Sequence, residues 1–416
     1  MREECTSRPV VVLGFGVAAG SAVCAMREDG YEGPITVVTD AGPEPYSPVL
    51  TSYYVGGRIG YDECFPWTDL AIGDMVDDLR AYSRIETLDV DAHEVVLSGG
   101  GRIGYSKLLV ATGAHPIVHG FSTLRTCLPH VLRTMQDAGR LRCALEAKPC
   151  ERVLVSGTSM VGLKVLEACL DRKIHATMLG RSAHILRVSA HPLIAERFEN
   201  MLEERGVTLR LSQTVACVEE HEGKRGCTVH FSNGDADRFD EVVLAQGVKP
   251  NIAFVDPGTI EVGDGLVVDQ FMRTSAPDVF AAGDVAQAID LSSGRKRIIG
   301  LWSNAVQQGR CAGRAIAAEL AGQVSTRPYP GSIPSNSIHV RDILFASAGS
   351  LAEGDGRRIC IRETQSETGL FVYEEREGSE RLVGFNVLAI AATERRHATL
   401  ADEIGMHRRA ILNSYL

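Results

Sequence analysis

Two stretches of this 416-residue chain repeat one unit, in which a short apolar run meets a glycine turn, a helix-length segment follows, and a second apolar run closes the unit. In the first copy the run Pro9-Val10-Val11-Val12-Leu13 leads into Gly14-Phe15-Gly16-Val17-Ala18-Ala19-Gly20, then a helix over about 17–27 and a strand Ile35–Thr39 ending at Asp40. Continuous apolar runs of this kind suit parallel strands buried on both faces. In G-x-G-x-x-A/G the first glycine (Gly14) makes the tight turn and the second (Gly16) lets backbone approach a pyrophosphate. The small residues Ala19 and Gly20 let helix pack on strand. The helix N-terminus offers N–H groups and the positive end of its dipole to phosphate. Asp40 stands where a carboxylate can accept hydrogen bonds from a ribose diol. The second copy runs from Arg152-Val153-Leu154-Val155 through Gly157-Thr158-Ser159-Met160-Val161-Gly162 to a helix ending near Asp171 and a strand His175–Leu179. The repeat predicts an α/β chain with two Rossmann-like dinucleotide-binding domains.

Charge excludes other classes of function. Lys and Arg total 43 against 53 Asp and Glu, a formal net charge of −10, so no chain-wide basic field is available for nucleic acid or anionic lipid. The eleven cysteines are scattered with no C-x-x-C, which argues against a disulfide framework or zinc ribbon and for a reducing, cytoplasmic setting. The longest uncharged stretch, Pro9 to Met26, is broken by Gly14-Phe15-Gly16 and reads as strand and helix, not as a signal peptide or membrane span. The twelve histidines form no metal-binding pattern, and neither a P-loop nor a G-x-S-x-G motif is present.

Later in the chain, Val279-Phe280-Ala281-Ala282-Gly283-Asp284 and a helix over about 303–320 return to the first domain. Gly322–Pro334 reads as a linker, and strands near 338–346, 358–362, 369–375 and 382–388 with a helix over 397–415 read as a C-terminal α+β module. The expected domains are 1–145 with 265–326, then 146–264, then 327–416.

In order along the chain stand Gly14-Phe15-Gly16, Pro45-Tyr46-Ser47-Pro48, Ala111-Thr112-Gly113, the second fingerprint at Gly157, Gln246-Gly247-Val248-Lys249-Pro250-Asn251, Ala282-Gly283-Asp284-Val285 and Leu301-Trp302-Ser303-Asn304-Ala305. With these motifs the sequence resembles the two-dinucleotide-domain pyridine nucleotide oxidoreductases, especially the ferredoxin, rubredoxin and nitrite reductase branch. The resemblance implies FAD in the first domain and NAD(P) in the second. Gly14, Gly16, Ala19, Gly20, Asp40, Ala111, Thr112, Gly113, Gly283, Asp284 and Asn304 would then serve FAD, with Asp284 on the ribityl hydroxyls. The helix near Ser303 would aim at the flavin, and Trp302 would lie by the isoalloxazine or in the core. Gly157, Ser159, Met160, Val161, Gly162, Arg181, Arg187 and Gly247 would serve the nicotinamide nucleotide.

Several departures sharpen the expectation. Ser159 replaces the middle glycine of the second fingerprint, where its hydroxyl could donate to a pyrophosphate. NADH-preferring relatives carry an acid at the end of the following strand, but here Met178-Leu179-Gly180-Arg181 has none, and Arg181 and Arg187 could clamp a 2′-phosphate. NADPH is therefore expected, with NAD possible; two solvated surface arginines are the alternative. Disulfide-reducing members carry a cysteine after the Pro-Tyr pair; this chain has Pro48 and no cysteine between Cys24 and Cys64, so a thiol relay is not expected, save for a displaced thiol at Cys64. The family's flavin-side Lys and Glu correspond to Ser52 and Lys164. Lys164 either supplies a cation to reduced flavin or reaches solvent.

The expected function is an FAD-dependent NAD(P)H oxidoreductase passing electrons to a small ferredoxin- or rubredoxin-like protein, with a homodimer as the assembly the resemblance allows. One alternative reduces a small molecule directly: oxygen, a quinone, a disulfide or an organic substrate. Another is a flavin-bearing structural or regulatory subunit of a larger redox complex.

Overall fold

The computed structural model describes residues 8–66, 72–119, 121, 128–221, 225–354, 356–376, 378–390 and 394–415. Its α-helices are α1 (Val17–Glu28), α2 (Leu50–Gly56), α3 (Met135–Glu146), α4 (Met160–Asp171), α5 (Pro192–Glu203), α6 (Trp302–Leu320) and α7 (Glu394–Tyr415). None is long and apolar enough to cross a membrane. The chain divides into two compact units: Met1–Ser47, Phe65–His115 and Lys249–Ser332 form the first, and Pro48–Cys64, Pro116–Val248 and Ile333–Leu416 the second. Compared with the domains read from sequence, residues 116–145 lie with the second unit, residues 249–264 lie with the first, and the C-terminal module shares the unit of the second fingerprint.

In the first unit a five-stranded parallel sheet has Val10–Leu13 at its centre, between Lys107–Val110 and Ile35–Val38, with Val279–Ala281 and Asp78–Arg80 outside them. Every residue of the central strand is buried, as its apolar run requires. Helices α1 and α6 cross closely on this sheet because the contact is built from small residues. A Cβ on Gly309 would come within 2.2 Å of the Ala18 carbonyl oxygen, and one on Gly313 within 2.3 Å of that of Ala22. Two glycines four residues apart on α6 thus face two alanines four apart on α1, the i, i+4 spacing of one helix face.

In the second unit the parallel sheet runs Thr208–Arg210, His175–Leu179, Arg152–Ser156, Glu241–Leu244. The C-terminal part is an antiparallel five-stranded sheet ordered Ser335–Val340, Ile343–Gly349, Ser379–Ile390, Glu367–Arg376, Arg357–Glu363. The single strand expected over 338–346 is two strands joined at Arg341-Asp342, where Arg341 adopts a left-handed φ of +55°. Side chains of both sheets share one core, which includes Val153, Leu166, Phe198, Phe345 and Leu388.

The small-residue crossing generates a prediction. Gly309→Val forces the α1–α6 contact apart and costs about 1–3 kcal/mol, read as a lower unfolding midpoint in urea. The same change at Gly206, where a Cβ meets nothing within 4 Å, affects that midpoint only through its positive φ of 85°.

Candidate functional site

The first fingerprint sits where its sequence requires. Gly14 has φ +92°, and a Cβ there would lie 2.4 Å from the Ala111 carbonyl oxygen, so the turn passes directly over Ala111-Thr112-Gly113. A Cβ on Gly16 would meet nothing within 4 Å, leaving open space beside the turn. Gly16 is also the N-cap of α1, with no side-chain cap and no acid in the first turn. Ala19 is fully buried, and a Cβ on Gly20 would lie 3.2 Å from Ile72, so both serve packing. Asp40 is exposed at the end of the second strand. Thr112 Oγ1 donates to the Asn251 carbonyl oxygen (2.6 Å), and Asn251 Nδ2 returns a bond to that of Thr112 (2.9 Å), clasping the loop after the strand Lys107–Val110.

Helix α6 completes this arrangement from the other side. Gly283 has φ +81°, and a Cβ there would stand 3.1 Å from Ala18, so Gly283-Asp284 runs beside the start of α1. Gln308 Oε1 accepts from Gly283 N–H at 2.8 Å. The N-cap of α6 is Leu301, which offers no side-chain acceptor, and its first turn holds no acid. Asn304, expected to serve FAD, carries bonds within the protein. It is buried, its Nδ2 donates to Ile299 O (2.8 Å), and its Oδ1 accepts from Tyr329 Oη (2.5 Å). Both ends of the amide are therefore spent on holding α6 and the segment before the second unit, and its side chain positions the helix. Trp302, the first residue of α6, is half-buried.

Two helix N-termini without caps, at the C-terminal ends of parallel strands, suit an anionic dinucleotide. The contrast with other helices of the chain is direct: α3 has a full capping box from Thr134 and Asp137, and α5 is capped by His191 with Pro192 in its first turn.

The second fingerprint is more closed. Gly157 has φ +126° and would place a Cβ 2.1 Å from the Ala245 carbonyl oxygen; one on Gly162 would stand 2.4 Å from that of Gly157. Ser159 is the N-cap of α4, accepting from Gly162 N–H at 3.4 Å, and its hydroxyl proton goes to the Ala245 carbonyl oxygen at 3.0 Å. The Ser159 hydroxyl, expected to donate to a pyrophosphate, donates here within the protein. Gly247, at φ +106°, accepts through its carbonyl from Ile117 N–H, 3.0 Å.

Beyond the strand His175–Leu179, a Cβ on Gly180 would lie 2.5 Å from the Thr158 methyl of the fingerprint turn. Arg181 and Arg187 follow, both exposed, and neither forms an ion pair with the described residues. The loop that carries them is tied down between them. Ile185 N–H donates to Glu199 Oε1 (2.8 Å), and Leu186 N–H to the Thr158 carbonyl oxygen (3.0 Å).

Lys164 is not a free cation. Its Nζ donates to Glu167 Oε2 at 2.5 Å and to the His339 carbonyl oxygen at 3.4 Å, and stands 4.4 Å from the centre of the Tyr53 ring. Its side chain is 11% exposed and that of Glu167 3%. Glu167 also accepts from Arg58 (2.6 Å) and from the Arg341 N–H (2.6 Å), which holds the strained hairpin turn. The ammonium is thus paired with a buried carboxylate. Sequence reasoning missed Glu167, Tyr53 and Arg58. The i, i+3 spacing of Lys164 and Glu167 on a helix was the available signal. Ser52, at the expected lysine position, donates to the Val49 carbonyl oxygen within its own helix, 3.0 Å.

The buried thiols are suited to packing. Cys64 is fully buried, and burial first, then Glu63, pushes its pKa up. Burial likewise raises Cys150 and Cys311 to about 11 and Cys169 to about 12. Thiols held protonated are poor nucleophiles. All nine described cysteines are free; Cys5 and Cys127 lie outside the described residues.

The family model for pyridine nucleotide-disulphide oxidoreductases matches residues 8–309. The chain belongs to that family. Among curated proteins it is 29% identical over 352 residues to the epsilon subunit of NADH-dependent phenylglyoxylate dehydrogenase of Aromatoleum evansii, covering 85% of this chain and 82% of that one. It is 28% identical over 320 residues to putidaredoxin reductase of Pseudomonas putida, covering 76% and 74%. Among solved structures it matches the reductase in the covalent putidaredoxin reductase–putidaredoxin complex with a TM-score of 0.83 at 24% identity, over 97% of this chain and 93% of the other. That last likeness is one of fold, and it covers both fingerprints and the C-terminal sheet.

Two predictions follow from the geometry. Glu167→Ala leaves Lys164 and the Arg341 N–H without their acceptor and costs about 3 kcal/mol, measured by urea unfolding. Cys64→Ser leaves NADPH-dependent reduction of ferricyanide within about twofold of the native rate, because a protonated, buried thiol takes no part in turnover.

Proposed function

We propose that this oxidoreductase binds FAD in its first unit and NADPH in its second, and hands electrons to a small ferredoxin- or rubredoxin-like protein. The bound flavin supplies the conversion between a two-electron nicotinamide donor and one-electron acceptors. The uncapped starts of α1 and α6 hold the cofactor's anionic groups, with Asp40 and Asp284 as acceptors for its hydroxyls and Trp302 beside the ring system. Gly157, Met160, Val161 and Gly162 hold the nicotinamide nucleotide, and Arg181 and Arg187 pair with its 2′-phosphate. Lys164 acts through Glu167 as a positioning residue for α2 and α4. The absence of disulfides among the described cysteines fits a reducing cytoplasm.

The observation that carries electron transfer to a protein, and not disulfide reduction, concerns the thiols. No cysteine lies between Cys24 and Cys64, and burial holds Cys64 protonated. The putidaredoxin reductase relative supports a small redox protein as acceptor. A second reading has one observation in its favour: the phenylglyoxylate dehydrogenase relative is by name a subunit of a larger enzyme that uses NADH. In that reading the chain works as the flavin-bearing member of an assembly.

Steady-state turnover separates them. The purified flavoprotein is expected to use NADPH with a kcat/KM at least tenfold above that for NADH, and Arg181→Ala is expected to remove about tenfold of it, one charge-assisted pair. It is expected to reduce a ferredoxin or rubredoxin faster than oxygen or a quinone. A clear NADH preference with no turnover of any carrier protein would favour the subunit reading.

A further inference from the structure

One buried polar group in the second unit has no part in the site described so far. Asn386 lies on Ser379–Ile390, the central strand of the C-terminal sheet, and is fully buried in a run of apolar residues. Its backbone pairs with Ser347 on one side and Leu370 on the other. Its side chain leaves the sheet's own hydrogen bonding for a different segment. Oδ1 accepts from His191 N–H at 2.7 Å, and Nδ2 donates to the Ser189 carbonyl oxygen at 2.9 Å. An amide in this orientation satisfies both partners, and the flipped amide would satisfy neither, since one is a donor and the other an acceptor. Nδ2 also stands 3.1 Å from the Phe385 carbonyl oxygen, its remaining donor site.

Ser189 and His191 end the loop that carries Arg181 and Arg187. The loop is a closed structure: Ser189 N–H and Ala190 N–H both donate to the Leu186 carbonyl oxygen, at 2.7 and 2.8 Å, and Leu186 N–H donates back to Thr158 in the fingerprint turn. Leu186 itself adopts a left-handed φ of +51°, a conformation that a leucine holds only when its surroundings enforce it. A displacement of Ser189 is therefore passed through the Leu186 carbonyl to Arg187. Asn336, from the edge strand of the same C-terminal sheet, adds a bond from its Nδ2 to Ser189 Oγ, 3.3 Å.

We propose that Asn386 is a positioning residue for NADPH selectivity: from the centre of the C-terminal sheet it fixes the loop 180–191 so that Arg181 and Arg187 meet the 2′-phosphate. The C-terminal sheet then takes part in choosing the electron donor. This inference rests on the NADPH reading above. Removing the amide leaves two buried backbone groups unpaired, and the loop settles elsewhere. A bidentate phosphate site loses most of its advantage when its cations move by about an ångström.

The test uses the full-length, FAD-loaded protein with ferricyanide as acceptor. KM and kcat are measured for NADPH and NADH, with 2′,5′-ADP and 5′-AMP as competitive inhibitors. In Asn386→Leu the KM for NADPH and the Ki for 2′,5′-ADP are expected to rise about tenfold. The kcat, the NADH parameters and the Ki for 5′-AMP are expected to stay within about twofold. A merely structural role would lower both nucleotides together, and that result overturns the proposal. If Asn386→Leu fails to hold FAD, His191→Pro removes the same hydrogen bond from the loop side at a φ of −67° that proline accepts, with His191→Ala as the control that removes the α5 cap but keeps this N–H. The proline variant is expected to show the same NADPH-specific loss. Unchanged NADPH selectivity in a folded variant overturns the proposal and leaves the NADPH reading intact. A native protein inhibited equally by 2′,5′-ADP and 5′-AMP overturns the NADPH reading, and this inference with it.

Discussion

An α-helix that starts without a cap leaves backbone N–H groups that must find acceptors elsewhere. In the first unit α1 and α6 begin on Gly16 and Leu301, neither of which supplies an oxygen, and neither first turn carries an acid. The small-residue crossing that brings Gly309 and Gly313 against Ala18 and Ala22 holds the two helices together. Helix α4 differs by one residue type: Ser159 caps it, which withdraws one N–H from any phosphate and tightens the turn onto Ala245. The two fingerprints thus differ in whether the helix start is closed by a side chain of its own turn.

Charge placement sets the other constraint. Buried ions persist only in company, and Glu167 supplies that company for Lys164, Arg58 and the Arg341 N–H. The exchange of the family's flavin-side Lys and Glu for Ser52 and Lys164 did not leave a stray cation, because a carboxylate one turn along α4 takes it up. By contrast Arg181 and Arg187 stay exposed and without an ionic partner among the described residues, so they are available to a ligand.

Strands and helices built on continuous apolar runs were legible in the sequence, since a run such as Val10–Leu13 or Arg152–Ser156 fits a doubly covered parallel sheet and little else. The first fingerprint was legible because Gly14 answers a backbone contact that a Cβ would violate, while Gly16 borders open space beside the turn. Helix α2 was not, because Leu50–Gly56 follows a Pro-rich segment and is stabilised by α4 and Arg172, whose guanidinium donates to the Val55 carbonyl oxygen at 2.7 Å. The hairpin at Arg341-Asp342 carried no glycine to mark it and is held by Glu167, a residue far away in sequence. Asn304 looked like a ligand by its motif, yet Ile299 and Tyr329 use both ends of its amide. For α2 and the hairpin the deciding contact is long-range, beyond the reach of local pattern.

The account stands on a flavin that receives electrons from a nicotinamide nucleotide with no thiol as a second store. Anaerobic titration of the purified protein with NADPH, following flavin absorbance and counting free thiols before and after, tests that most directly. One equivalent of NADPH per flavin is predicted to bleach it fully with no change in thiol count. Uptake of a second equivalent together with the appearance of two new thiols would contradict it.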